Sequence, residues 1–89
     1  MTDKDLAEAI IKNALKYHNP DGEYPPSLVI DKEDYSDFDM EKVKAYLSLY
    51  KFVLMDGLDA PAPFCEMDEE FRARKWFIVR KEKDDGKDN

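Results

Sequence analysis

Cysteine is almost missing from this chain: Cys65 stands alone. A single thiol cannot close an intramolecular disulfide, so no disulfide framework holds the fold. Glycine is scarce too, and Gly22, Gly57 and Gly86 are isolated, which excludes a glycine-rich phosphate loop. With His18 the only histidine, the roughly four nitrogen and sulfur ligands of a zinc site are not there. No apolar run approaches the roughly 18 residues of a membrane span. The opening Met1-Thr2-Asp3-Lys4-Asp5 lacks the basic and apolar regions of a secretory signal. By elimination a cytoplasmic location is expected, with no membrane partner.

Charge is abundant, and its placement is uneven. The 89 residues carry 39% charged side chains, against a usual value of about 25%. Residues 31–70 hold twelve acidic groups against four lysines, a net of −8. Residues 71–83 hold six basic groups against Glu82 alone, a net of +5. The overall net charge of −7 therefore conceals two surfaces of opposite sign. Such fields select partners and do not determine fold. The length suits one domain, expected over residues 1–83, with Asp84–Asn89 a polar, disordered tail. Eleven aromatic residues argue against disorder in the rest of the chain.

The spacing predicts a first helix. Thr2 and Asp5 fit a capping box, and Leu6, Ala7, Ile10, Ile11, Ala14, Leu15 and Tyr17 repeat at helical intervals. Asn19 and Pro20 stop it. Ser27–Ile30 reads as a short edge strand. Residues 31–39 are too polar for core. Ser36 or Asp39 caps a second helix with Met40, Val43, Tyr46, Leu47 and Tyr50 on its apolar side. Residues 51–55 either end that helix or form a strand closing at the Asp56-Gly57 turn. Residues 57–70 read as a long loop. Residues 74–83 read as the clearest strand, its centre Trp76-Phe77-Ile78-Val79 apolar on both faces. Leu6, Ile10, Tyr46, Leu47, Tyr50, Trp76 and Ile78 are the expected shared core.

The fold class that follows is α+β: two main helices packed on a small antiparallel sheet or hairpin. In outline this order resembles a winged-helix domain. The resemblance rests on element order and no motif, and it makes residues 39–50 the recognition helix, 51–56 and 74–83 the wing hairpin, and 57–73 an oversized wing. It implies a basic recognition face, whereas here Lys42, Lys44 and Lys51 neighbour Glu41 and the acidic 31–39 segment.

No catalytic constellation, cofactor site or metal site is expected, and the chain reads as a non-enzyme. The run Asp31–Glu41 is not a calcium loop: Ser36 replaces the turn glycine and Lys42 the distal glutamate. His18 and Cys65 lie in unrelated segments, and a neighbouring Glu66 raises rather than lowers a thiol pKa. The many carboxylates sit in hydrophilic stretches, with no apolar pocket to tune one for acid catalysis. What remains is recognition. The leading expectation is a small, regulatory protein-interaction module, such as an adaptor, inhibitor or phage-type accessory protein. It would bind a basic protein surface through Asp31, Glu33, Asp34, Asp37, Glu41, Glu66, Asp68, Glu69 and Glu70, including by nucleic-acid mimicry. The alternative is a winged-helix DNA-binding transcriptional regulator using Lys44, Lys51, Arg72, Arg74, Lys75 and Arg80. Against that alternative, Trp76 and Phe77 face opposite sides of a strand, so both cannot serve as stacking platforms.

Overall fold

The computed structural model describes residues 1–22 and 24–81; the tail expected at Asp84–Asn89 lies outside them. Helix α1 spans Asp3–Lys16 and starts on a complete capping box: the Thr2 hydroxyl accepts the Asp5 N–H, and the Asp5 carboxylate accepts the Thr2 N–H. Strand β1 spans Ser27–Asp31 and runs into a 3-10 turn, Glu33–Tyr35. Asp39, not Ser36, caps helix α2, Met40–Leu49, by accepting from the Glu41 and Lys42 N–H groups. The Asp39 N–H in turn donates to the Asp3 carboxylate, which ties the two helix starts together.

Lys51 takes a positive φ of 70° directly after the helix. That left-handed residue reverses the chain, so residues 52–56 form strand β2, Phe52–Asp56, rather than further helical turns. An excursion of 3-10 turns follows. It ends in a helix, α3, Glu69–Ala73, capped by Asp68, which begins within the last two residues of the expected loop 57–70. Strand β3 is Lys75–Arg80; of the expected 74–83, Arg74 is the C-cap of α3, and residues 82–83 lie outside the described residues.

The sheet is fully antiparallel with order β1-β3-β2, and β3, the most apolar strand, lies in the middle. The fold is α+β: α1 and α2 pack on a small antiparallel sheet, winged-helix-like in outline. The order β1-β3-β2, with α2 entering the β2–β3 hairpin, carries that outline.

Strand alternation divides the sheet. Leu28, Ile30, Phe52, Leu54, Trp76 and Ile78 face the helices, where Leu6, Ala7, Ile10, Ala14, Val43 and Leu47 complete the core. Of the expected core, Leu6, Ile10, Leu47 and Ile78 are buried, and Tyr46 and Trp76 pack against the cluster. Tyr50 does not belong to it and is 51% exposed. It is the C-cap of α2, so the reversal at Lys51 turns the chain away before Tyr50 reaches the core, and Phe52 fills that place. Leu15 and Tyr17 are also exposed, because α1 buries only the stripe 6, 7, 10 and 14.

Candidate interaction surface

The other face of the sheet is also apolar, and among the described residues no helix covers it. Val29 of β1, Phe77 and Val79 of β3, and Val53 and Met55 of β2 share it. The β2–β3 excursion lays Phe64 on its middle: the Phe64 and Phe77 rings stack with centroids 5.3 Å apart, which leaves Phe77 only 8% exposed. The remainder is an open groove of about 780 Å³, bordered by Tyr24 and Pro25 next to β1 and by Pro61, Pro63 and Met67 of the excursion. Val29 keeps 37% of its surface exposed, and Tyr24 and Met67 are exposed as well.

Arg72 holds the excursion in shape. Its side chain donates to the Met67 carbonyl at 3.0 Å and reaches the Gly57 and Leu58 carbonyls at 3.4 and 3.3 Å. Gly57 permits this approach: a Cβ there would overlap the Arg72 carbonyl oxygen and stand 3.1 Å from that of Lys75.

The residues singled out by charge fall into two groups. Asp31 and Asp68 are engaged internally: Asp31 pairs with Lys75 across the β1–β3 ladder, and Asp68 caps α3. The Lys75 hydrogen bond holds the Asp31 carboxyl below its ordinary pKa. Glu33, Asp34, Asp37, Glu41, Glu66, Glu69 and Glu70 are exposed. Glu33 and α3 border one cleft of about 530 Å³, which Lys32, Phe71, Arg74 and Lys75 also line. Of the exposed carboxylates only Glu33 lines this cleft, and α3 meets it through Phe71 and Ala73 rather than through Glu69 and Glu70. Asp56 accepts the Leu58 N–H and pairs with Lys32 at 2.7 Å, and both contacts hold its carboxyl below its ordinary pKa.

The basic set is also divided. Arg72 clasps carbonyls, and Lys75 lies over the Phe71 ring as well as on Asp31. Lys44, Lys51, Arg74 and Arg80 are exposed, Arg80 with its guanidinium over the Phe52 ring. His18 Nε2 contacts the Tyr24 carbonyl at 3.1 Å, and Cys65 is exposed in a separate 3-10 turn. Among the described residues no three histidine, cysteine or carboxylate side chains gather as a metal site, and no helix is long and apolar enough to cross a membrane.

The outer-face residues Val29, Val53, Met55, Phe64, Phe77 and Val79 were not among the sequence-based site candidates. The signal for them was the unbroken run Trp76-Phe77-Ile78-Val79: a strand apolar on both faces, in a chain with only two long helices, leaves one face without a helical layer. Compared with protein families, curated proteins and solved structures, the chain finds no match.

Proposed function

We propose that this protein is a non-enzymatic interaction module, an adaptor, inhibitor or accessory protein of the cytoplasm, that docks a partner with a basic surface on the outer face of its sheet. The observation that carries the proposal is the open apolar groove over Val29, Val53, Met55 and Val79. Apolar patches rimmed by polar groups are characteristic of protein-binding surfaces. The exposed carboxylates beyond the groove supply the second element: they attract a basic partner and speed its encounter, while contact affinity comes from the apolar centre, whose charged lining residues are Arg80 and Lys81. Nothing in this role requires a tuned acid, a nucleophile or a cofactor.

The test is partner capture from the source cell after nuclease treatment, using the wild-type chain, Met55→Lys, and the triple variant Asp34→Asn, Asp37→Asn, Glu41→Gln. Met55→Lys should abolish retention of a partner that the wild type holds. The triple variant should slow its association and flatten the salt dependence. Retention unchanged in Met55→Lys overturns the proposal.

The sheet order and the position of α2 ahead of the hairpin favour a second reading, a DNA-binding regulator. Its exposed cations would be Lys44, Lys51, Arg74 and Arg80. Binding to random duplex DNA at low salt that falls steeply with added salt would support it; the interaction module should show none.

A further inference from the structure

Strand β1 has an open edge, and its geometry is fixed by the ladder. The Arg80 N–H donates to the Pro26 carbonyl and the Lys32 N–H to the Arg74 carbonyl. With Leu28 opposite Ile78 and Ile30 opposite Trp76, the even-numbered residues of this segment are the ones bonded to β3. In an antiparallel pair hydrogen-bonded and non-bonded pairs alternate. The N–H and C=O groups of Ser27, Val29 and Asp31 therefore point away from the sheet. Among the described residues none of these backbone groups has a hydrogen-bond partner. Two of the residue types that protect such edges are missing: residues 27–31 contain no proline and no lysine.

The same three residues turn their side chains to the outer face, where Ser27 and Val29 line the groove. A strand added to this edge in antiparallel register would bond at the residues opposite Ser27, Val29 and Asp31. In such a bonded pair both side chains lie on one face. The residues that donate to β1 would thus be the residues whose side chains extend the groove.

We infer that β1 accepts an extended segment of the basic partner as a fourth strand, with the segment's apolar side chains on the outer face at every second position. The inference rests on the interaction-module proposal and names how that partner binds. Charge decides the occupant. Beyond Lys32, which pairs with Asp56, Glu33 and Asp34 lie past the Asp31 end of the edge and are exposed; with a net charge of −7 on the chain, a second copy repels where a lysine-flanked segment is attracted. Main-chain bonds at an open edge supply affinity, and the groove supplies choice of side chain.

The probe is the peptide Lys-Lys-Val-Thr-Val-Thr-Val-Lys-Lys, followed by fluorescence anisotropy and by hydrogen exchange at the Ser27, Val29 and Asp31 amides. Binding should slow exchange at those three amides. N-methylation at the three valines of the peptide should weaken binding about tenfold or more, because it removes the donors to β1, whereas N-methylation at the threonines should change it by less than about twofold. Val29→Pro removes only an outward N–H and should match the valine-methylated peptide; Val29→Ala keeps the N–H and should not. Equal effects of the two methylation patterns, or no binding by the wild type, overturn the inference. If the patterns are equal while Met55→Lys still abolishes binding, docking on the sheet face stands and strand addition falls. Sedimentation showing a dimer that the peptide cannot enter also overturns it, with a second copy as the occupant.

Discussion

Phe64 lies flat on Phe77, 5.3 Å away centroid to centroid and inclined by 25°. This contact helps seat the excursion on the outer sheet face, and a second aromatic contact, Phe64 with Phe71 at 6.3 Å, links the same ring to α3. Phe64→Ala should cost about 2 kcal/mol, below the range for fully buried aromatics because Phe64 is only half-buried. Denaturant unfolding checks the value. The variant should also bind a hydrophobic dye more strongly, because Phe77 loses its cover.

Lys51 is the one described non-glycine residue with a positive φ, at a helix end where glycine carries no Cβ penalty. Lys51→Gly should stabilise the fold by about 0.5–1 kcal/mol. Thermal unfolding reads this directly. A loss of stability would show that the Lys51 side chain contributes more than its backbone strain costs.

Gly57→Ala should be severe. The added methyl meets the backbone carbonyl of Arg72, and backbone cannot step aside as a side-chain tip can. A cost of at least about 2–3 kcal/mol is expected. Hydrogen exchange should show the loss concentrated in residues 57–74, with α1 and α2 spared.

Acid should weaken the sheet end where Asp31 and Asp56 are paired. Both carboxyls are held below their ordinary pKa, Asp31 first by the Lys75 hydrogen bond and Asp56 first by the Leu58 N–H. A depressed carboxylate contributes stability that is full above its unfolded pKa of about 4 and is lost as the pH falls through the folded value. Asp56→Asn should therefore lose less stability than the wild type as the pH falls below about 4. With 28% and 35% of the Lys32 and Asp56 side chains exposed, screening keeps the effect small, and a steeper acid limb in the variant would contradict the assignment.

The helices were legible in the sequence because their signals are local. A capping box at Thr2, a carboxylate at Asp39 and an apolar stripe each need only a few neighbouring residues. Tyr50 was misplaced because nothing in a lysine announces a left-handed φ, and that one torsion decides whether residue 50 or residue 52 reaches the core. Helix α3 is five residues long, too short for a periodic pattern and set in an acidic segment that reads as loop. The site was less legible than the fold. The run Trp76–Val79 showed that β3 has two apolar faces, but which face the helices cover is settled only when the strands are ordered. The charge map misled in a similar way. Asp31 and Lys75 are 44 residues apart in sequence, so their mutual engagement is invisible until the ladder brings them together.

The excursion from Gly57 to Arg74 leaves and rejoins the sheet at adjacent points, because Asp56 lies opposite Trp76 in the β2–β3 register, and Arg72 fastens it to itself rather than to the helices. In engineering terms it is a cartridge. Loop closure adds only slowly to the entropic cost as a segment lengthens, so the excursion can be shortened to a tight turn, or exchanged for another, while the hairpin register and the helical core stay as they are. The scaffold and the wall of the groove are then two parts, and the shape of the groove can be redesigned without touching the helical core, at the cost of the stability that the Phe64–Phe77 contact supplies.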